Sequence, residues 1–504
     1  MNQMNPMNHM DEMGIELPQW ITLPICDKRV SNEVVGEYQL PDYQPEIRRL
    51  LSVMPTVLPP AKYVGGSQIE LNGTVDYQVL YVGGDGGLYS VPLSAEYNMS
   101  VPIEADADVD MGAGVTVFVS NLPENISTRV SAPRKLSIRC RMRSHVCAYG
   151  KVLLEERCRG TALPSSIRRR TEQAQTVRAE GALSEPLTLS AELLGVGEDA
   201  RVISASAIPF VSDTRATDEG VGVEGEVLLK LMIGREDGRV EPLLRKLPFS
   251  GEVELEEASS EAQMRVMGSV SDLSVNVEEG RILCDVGVLL EARCMRNCPI
   301  HYTADIYSTE MESQCRTEQY VIPVVCKCEN ANLSQSERLS GSEQKIPEGA
   351  QILDAWGCAL WESCENIGGK YVLSGQSKYT LLCRKDEEYS TAEIVLPLRY
   401  ETDGAEGEMS GFDACAEVVN CRARLDGDVL SLDAELAVIA EFWGNTCINP
   451  VVEVEFGDAV AMRTCGMTVY YPSPNESVWD VAKKYRVSPE QLAEKKGKAA
   501  YYLF

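Results

Sequence analysis

Histidine is scarce in this sequence: only His9, His145 and His301 occur among 504 residues. None of them lies in a local signature that joins a serine or cysteine nucleophile to a histidine and a carboxylate. Carboxylate pairs carry no information about acid–base chemistry, because the chain contains 76 acidic residues and such pairs arise by chance. We therefore expect no catalytic residues and no cofactor. The alternative hypothesis is that the protein is an enzyme of a type that its sequence motifs do not reveal.

Long apolar runs and basic residues are also few. No stretch approaches the roughly 18 apolar residues of a membrane-spanning helix, so none is expected. The N-terminus lacks a positive charge followed by an apolar core, and it therefore predicts no secretory signal and a cytoplasmic protein. Lysine and arginine number 47 against 76 acidic residues, giving a net charge of −29, which disfavours nucleic acid as a partner because phosphates would be repelled.

One segment, the basic region from Arg129 to Arg178, opposes this overall charge. It contains thirteen arginines and lysines and three glutamates, a local charge of +10. No aromatic residues interleave with the arginines as a platform for single-stranded nucleic acid. The region is therefore interpreted as a solvated surface or as a docking surface for an acidic partner or another copy of the chain.

Paired cysteines with metal-ligand spacing are missing. The chain has 17 cysteines but no C-x-x-C pair, and in a chain without an export signal such cysteines are expected to be reduced and to pack as small apolar residues. The tightest metal candidate combines residues of CMRNCPIH with a C-K-C triplet: Cys294, Cys298, His301, Cys326 and Cys328. This spacing is weak for zinc, so no metal is expected.

A repeated unit is the main positive feature of the sequence. Three segments beginning at Leu50, Val202 and Ile352 align without gaps and place one glycine in a shared column: Gly73, Gly225 and Gly375. Apolar residues alternate with period two after each glycine, which predicts a strand with one buried face. The glycine itself predicts a β-bulge or a close backbone approach.

Further strands recur in the same order. An aromatic residue follows each glycine after about 24 positions, as Tyr97, Phe249 and Tyr400. A later strand in the first copy places Arg139, Arg141 and Arg143 on one face and apolar residues on the other. The glycine-rich GGDGG, residues 83–87, lacks the lysine of a phosphate-binding loop and predicts a turn between two strands.

The sequence therefore predicts a mainly β fold of three tandem sandwich-like or barrel-like units. The alternative is one large β domain with accidental internal similarity. The predicted divisions are a flexible leader, three β units and a small α+β domain: residues 1–18, 19–168, 169–314, 315–462 and 466–504.

The C-terminal segment differs from the rest because its apolar period is helical. Ser477 is a predicted N-cap, and Pro489 is expected at the first position of a second helix after Ser488. A strand is predicted from Met467, and residues 501–504 are a candidate for a short last strand. One face of the first helix carries apolar residues at helical spacing, namely Val478, Val481, Ala482 and Tyr485.

The stretch SVWDVAKKYRVSPEQL, from Ser477 to Leu492, resembles the LysM family. The resemblance implies a strand–helix–helix–strand module that binds glycans in a groove between two loops. This chain departs from the family in both loops: Asn475-Glu476-Ser477 replaces a Gly-Asp-Thr turn, and Lys495-Lys496-Gly497 replaces the closing asparagine. These departures argue against glycan binding.

Three β units followed by this module resemble the SPOCS-domain (spore-coat) proteins of Gram-positive endospore formers, of the SipL type. The matching motifs are TADIYSTEMESQCRTEQ from Thr303 and the glycine-containing strand at Val223. The resemblance implies a morphogenetic protein of the mother-cell cytosol whose LysM-like module engages the ATPase of the coat's basement layer and whose repeats help the coat enclose the forespore.

The leading hypothesis is thus a non-enzymatic scaffold that can also self-associate through its β units. An aromatic residue with a cationic rim is a common protein-binding surface, although Trp479 is equally compatible with a core position. The runner-up hypothesis is a peptidoglycan-binding protein of the cell wall or spore cortex. The predicted partner-binding residues of the module are Glu476, Trp479, Lys483, Lys484, Tyr485 and Arg486.

Overall fold

The structure is a computed structural model, in which antiparallel strands make up nearly all of the regular structure. The prediction of a mainly β fold is confirmed. The predicted flexible leader, residues 1–18, lies outside the described residues, as does His9. The structure describes residues 19–104, 109–110, 114–160, 162–194, 197, 200–236, 239–278, 280–405, 408–460, 468–473, 476–494 and 501–503.

The strands form three β units with closely similar topology, which we call the first, second and third units. The first unit contains β1 (Gln19–Gln39), β2 (Ile47–Val57), β3 (Ala61–Gly65), β4 (Gln68–Gly83), β5 (Leu88–Pro102), β6 (Thr116–Ala132) and β7 (Lys135–Leu154). The short β8 (Arg157–Arg159) follows.

The second unit begins with two strands in place of one. It contains β9 (Ile167–Leu183), β10 (Leu187–Leu193), β11 (Arg201–Ala216), β12 (Gly220–Gly234), β13 (Val240–Glu254), β14 (Gln263–Glu278) and β15 (Arg281–Ser308). After β16 (Met311–Thr317), the third unit contains β17 (Tyr320–Ser340), β18 (Gln351–Ile367), β19 (Lys370–Lys385), β20 (Glu388–Asp403), β21 (Met409–Asp426) and β22 (Val429–Ile448). The chain continues through β23 (Val451–Ala459), β24 (Thr468–Tyr470), α1 (Val478–Tyr485), α2 (Pro489–Glu494) and β25 (Tyr501–Leu503).

Each unit is a sandwich of two antiparallel sheets. The last strand of a unit lies in the middle of one sheet, between the opening strands and the penultimate strand, and the other strands form the second sheet. Apolar residues of the two middle strands face each other and form the core: β4 with β7, β12 with β15, and β19 with β22. The period-two alternation of these strands produces this arrangement, because every second side chain points to the same face.

The shared glycines occupy the middle strand of the second sheet in all three units. Gly73 lies opposite Tyr97 and Gly225 opposite Phe249 on the neighbouring strand, and the aromatic ring covers the glycine in both places. The third copy differs, because Tyr400 pairs with Leu373 and Leu398 faces the glycine. The predicted β-bulge lies not on the strand of the glycine but on the strand before it. In the second unit the register of β11 shifts directly after Val211, the residue opposite Gly225, and in the third unit that of β18 shifts directly after Trp361, the residue opposite Gly375.

The three units pack against one another instead of forming a linear chain of separate domains. The seventh residue after each shared glycine, Leu80, Met232 and Leu382, is at most 4% exposed, and all three belong to one apolar cluster. We call this cluster the apolar junction. Two further clusters also combine residues from all three units. Residues at the same position of the three repeats thus pack together in one apolar cluster.

A separate small sheet joins the ends of the units. In it, β16 pairs antiparallel with β23, which pairs in parallel with β8. Strand β9 crosses the predicted boundary between residues 168 and 169, and β16 crosses the one between 314 and 315; the domain boundaries stay a prediction. In the described part of the chain, no helix has the length and apolar character needed to cross a bilayer.

Several local predictions are confirmed. Arg139 and Arg141 are exposed on β7, while Cys140 and Met142, which alternate with them, are fully buried. The GGDGG segment forms the turn between β4 and β5. All sixteen cysteines in the described residues are free, and several of them belong to the cores of the units, including Cys140, Cys284 and Cys383.

Candidate docking module and the ionic junction

The C-terminal module consists of β24, α1, α2 and β25. The predicted short last strand is present: Thr468 pairs with Leu503 and Tyr470 with Tyr501, antiparallel, so that the two ends of the module are joined. Ser477 is the N-cap of α1, as predicted. Its hydroxyl accepts a hydrogen bond from the Asp480 amide at 3.2 Å, and the Asp480 carboxylate accepts one from the Ser477 amide at 2.9 Å. This reciprocal pair is a capping box, which fixes the start of the helix.

The core of the module is small and incomplete without the second unit. Val481, Ala482 and Leu492 are buried and pack against Tyr307 of β15, which is 2% exposed. The Tyr307 hydroxyl donates a hydrogen bond to the backbone oxygen of Val487, which follows α1, at 2.7 Å. A tyrosine of the second unit thus provides part of the apolar interior of the module.

Asp305 of β15 holds the first helix from the same strand. Its Oδ2 accepts a hydrogen bond from the Trp479 indole at 2.7 Å, and its Oδ1 lies 2.5 Å from the Lys483 ammonium. Burial raises the pKa of such a carboxyl, but the hydrogen bonds from Lys483 and Trp479 outweigh burial and bring the pKa of Asp305 below its ordinary value. The carboxylate is therefore stabilised in its charged form by the docked helix.

The six predicted partner-binding residues divide into two groups. Trp479 and Lys483 face Asp305, and the Trp479 ring also packs edge-on against Tyr307 at 5.0 Å. The side chains of Glu476, Lys484 and Tyr485 gather around Tyr470 of β24.

Within the second group, the Tyr470 hydroxyl donates to the Glu476 carboxylate at 2.7 Å, and Lys484 donates to the same hydroxyl at 3.1 Å. The Lys484 ammonium also lies 4.7 Å from the centre of the Tyr470 ring, and the Tyr485 ring meets that ring edge-on at 5.2 Å.

The remaining predicted residue, Arg486, ends the first helix. It adopts a left-handed conformation with φ 57°, and its guanidinium lies 3.7 Å from Glu312 of β16. Three of the six predicted residues therefore contact the body of the same chain. Lys484 stays exposed, and so does Tyr471, the residue after β24, which is 70% exposed.

Sequence reasoning did not identify Asp305 and Tyr307 as functional residues. Both lie in TADIYSTEME, the segment singled out as a family motif, where alternation on a strand directs residues two apart to the same face. That D-x-Y pattern was the available signal. The tryptophan and lysine that contact Asp305 lie more than 170 positions later in the chain.

A second polar arrangement, the ionic junction, lies where the three units meet. We define it by Arg265 and Arg293 of the second unit and Asp413 and Glu441 of the third, all less than 9% exposed. Arg265 Nη1 lies 2.7 Å from Asp413 Oδ2 and 3.1 Å from Glu441 Oε2. Arg293 lies 3.2 Å from the same Asp413 oxygen.

The first unit completes this arrangement. Ser120 of β6 donates a hydrogen bond to Asp413 at 2.7 Å, and Arg293 donates one to the Val119 backbone oxygen at 2.7 Å. Burial raises the pKa of the Asp413 carboxyl, but the charge of Arg265 and the hydrogen bond from His145 outweigh burial and hold that pKa well below its ordinary value. The ionic junction joins the units, and its charges are matched by opposite charges.

The other sequence candidates are not assembled into sites. Cys294 is buried in the core of the second unit, Cys298 is half-buried and His301 is exposed, all on β15. Because His301 lies an odd number of residues from both cysteines, the strand directs it to the opposite face. In the basic region several arginines are neutralised locally, as in the pairs Arg139–Glu33, Arg143–Glu124 and Arg178–Glu257.

Together these features define a class: a protein of three packed β-sandwich units with a small C-terminal strand–helix–helix–strand module. A family model described as SipL, SPOCS domain, matches residues 200–278. The matched range covers β11 to β14 of the second unit and includes the glycine-containing strand at Val223. Residues 200–278 therefore contain a SPOCS domain of the SipL type, which supports the resemblance that the sequence motifs predicted.

A SPOCS domain of this type fits a role related to sporulation and the spore coat. No curated protein matches the chain, and no solved structure matches it. The arguments for its function accordingly rest on the family match and on the geometry described above.

Proposed function

We propose that this protein is a non-enzymatic adaptor in endospore coat assembly, acting in the mother-cell cytosol at the forespore surface. Its packed β units form a rigid body, and its C-terminal module docks to a protein of the coat's basement layer, an ATPase of the kind found in stage IV of sporulation. Self-association through the β units is part of the same proposal. The reaction chemistry is left to the partner.

The observation that carries the proposal is the anchoring of the module. Because Asp305 and Tyr307 fix α1 to the β body, a partner bound to the module is held rigidly relative to the three units. The module keeps Tyr471 70% exposed, and the exposed Lys484 ammonium lies 4.7 Å from the centre of the Tyr470 ring. Aromatic side chains are enriched at protein interfaces, which supports a role for this part of the module in partner binding.

Affinity capture of the purified basement-layer ATPase by the full chain tests this function. We expect Tyr471→Ala and Lys484→Ala each to weaken capture at least tenfold and deletion of residues 466–504 to abolish it. The matched control is Lys246→Ala, which removes an exposed, ion-paired lysine from β13 of the second unit. If the two substituted chains and the chain without residues 466–504 all captured the ATPase as well as the parent chain does, the module would not be the docking site.

The second candidate function is peptidoglycan binding. It is favoured by the pairing of β24 with β25, which closes a strand–helix–helix–strand module like that of LysM proteins. Of the loop positions that depart from the LysM pattern, Asn475 and residues 495–497 lie outside the described residues. Co-sedimentation of the full chain with purified peptidoglycan, abolished by deletion of residues 466–504, would support this function over the adaptor role.

A further inference from the structure

The outer face of β7 changes character along its length. Its first part exposes Arg139 and Arg141, whereas His145 and Cys147, which continue the same face, are both 8% exposed. His145 Nε2 lies 2.7 Å from Asp27 Oδ1 and 3.2 Å from Cys147 Sγ, and that sulfur lies 3.9 Å from the same Asp27 oxygen. An imidazole nitrogen, a sulfur and a carboxylate oxygen therefore lie within 3.9 Å of one another.

Strand register produces this convergence. Asp27 of β1 lies directly opposite Cys147 of β7, and His145 is two residues away on the same face. The register of β1 shifts between Pro24 and Cys26. Without this shift, the register continued from Pro24 and Tyr149 would place Asp27 opposite Val146 and on the other side of the sheet, because a slip of one residue reverses every side chain.

The second ring nitrogen of His145 contacts another carboxylate. Its Nδ1 lies 3.4 Å from Oδ1 of Asp413, which Arg265 and Arg293 fix in the ionic junction. A histidine that binds a metal through one nitrogen usually donates its other N–H to a carboxylate, and this contact sets both the tautomer and the ring orientation. The arrangement of Nδ1 toward Asp413 leaves Nε2 directed at Asp27 and Cys147.

We propose that Asp27, His145 and Cys147 form a binding site for a zinc ion, with water as the fourth ligand. Sulfur, imidazole and carboxylate together match zinc, whereas magnesium and calcium prefer oxygen ligands only. Zinc–ligand bonds of about 2.0–2.3 Å in a tetrahedron place the donor atoms roughly 3.3–3.8 Å apart. The three atoms here are 2.7–3.9 Å apart, so shifts of less than about 1 Å complete the site.

The ion has a route to the site and a defined exchange of protons. The Asp27 side chain is 54% exposed, so zinc and its water approach from the solvent side of β1. Zinc replaces the proton on Nε2 and the proton on Sγ, both of which pass to solvent, while Nδ1 keeps its proton toward Asp413. Among the described residues, this is the one group of three or more His, Cys, Asp or Glu side chains whose ligand atoms are close enough for a metal.

Binding would connect β1 to β7 and, through His145 and Asp413, the first unit to the third. The site is thus placed to stabilise the packing of the units, independently of docking by the C-terminal module. An ion that binds only the folded state stabilises that state by mass action.

Zinc titration of the reduced, metal-stripped full chain, in competition with a chromophoric chelator, tests the proposal. We expect one tightly bound zinc per chain. Cobalt in its place should give the absorption bands of tetrahedral Co²⁺ with one thiolate ligand. Cys147→Ser and Asp27→Asn should each weaken zinc binding at least tenfold and remove the thermal stabilisation that zinc gives the parent chain.

Matched controls separate this site from adventitious binding by other cysteines. Cys158→Ser changes an exposed cysteine on β8, and Glu33→Gln changes an exposed carboxylate on β1; both should bind zinc as the parent chain does. Circular dichroism reports whether each variant is folded. If Cys147→Ser does not fold, the zinc affinity of Asp27→Asn, which changes an exposed side chain, tests the site. The absence of tight one-to-one binding, or binding that Asp27→Asn leaves unchanged, would overturn the site.

Discussion

Arg265 and Asp413 form a buried ion pair, with 2.7 Å between Nη1 and Oδ2, although 148 positions separate them in the chain. Arg265 is fully buried, and its partner belongs to a different unit. An arginine is rarely removed from water in this way unless opposite charges and hydrogen bonds surround it. The contact therefore shows that the second and third units bury a polar surface between them when they pack.

Loss of this arginine should destabilise the packed body strongly. Arg265→Met leaves Asp413 and Glu441 with less compensating charge in a buried site, and removal of one partner from a buried pair costs about 3–5 kcal/mol. Urea unfolding of the full chain measures the loss.

The matched control for this prediction is Arg215→Met. Arg215 forms an exposed pair with Glu224 in the second unit, with side chains 67% and 54% exposed, and an exposed pair contributes only about 0–1 kcal/mol. Equal effects of the two substitutions would show that the ionic junction does not hold the units together.

Replacement of Asp305 should release the C-terminal module while leaving the three units folded. Asp305→Asn removes the charge that faces Lys483 and weakens the acceptor for Trp479. Hydrogen bonds to charged groups contribute about 1.5–3 kcal/mol, so amide hydrogen exchange in α1 should accelerate roughly ten- to a hundredfold. Asp285→Asn, at an exposed position of the same strand, should leave α1 exchange unchanged; acceleration by both variants would contradict the assignment.

The contribution of Asp305 should depend on pH in a defined direction. Its pKa in the folded chain is below the ordinary value of 3.8, so its stabilising effect is fully present above that value and is lost as the pH falls through the folded pKa. The difference in urea midpoint between the parent chain and Asp305→Asn should be constant near neutral pH and should shrink below about pH 4. A difference that persists unchanged to pH 3 would show that the charge of Asp305 does not matter.

The shared glycines should resist substitution for steric reasons. A Cβ at Gly225 would collide with the backbone oxygen of Phe210 and would lie 2.5 Å from the Phe249 ring. Because that backbone cannot move freely, Gly225→Ala should cost about 1–3 kcal/mol. At Gly73 the three atoms nearest to an added Cβ all belong to the Tyr97 side chain, the closest at 2.6 Å, so Gly73→Ala should cost less because a ring can shift.

Gly65 is the control for the glycine prediction, since a Cβ there has nothing within 4 Å. Gly65→Ala should change the free energy of unfolding by no more than about 0.5 kcal/mol in urea experiments. If Gly225→Ala were tolerated equally well, the close approach at the shared glycine would not constrain the repeat.

Much of the local structure could be predicted because its cause is local. Alternation after each glycine gives a strand with one buried face, and the spacing from Val478 to Tyr485 gives the amphipathic helix that the structure contains. Ser477 caps that helix as its side-chain chemistry requires. The role of Trp479 was open in the sequence; its indole faces Asp305 because β15 brings that carboxylate to the helix.

The sequence by itself determined which residues form strands, which face of each strand enters a sandwich core, and that one strand pattern returns three times. Tertiary structure alone decided which outward faces are covered: Arg141 stays in water, while His145 and Cys147, on the same face of the same strand, are buried. Period-two alternation acts between neighbouring residues and gives a strand two faces. Whether the outer face meets water or another unit depends on segments hundreds of residues away, and no local pattern records that contact.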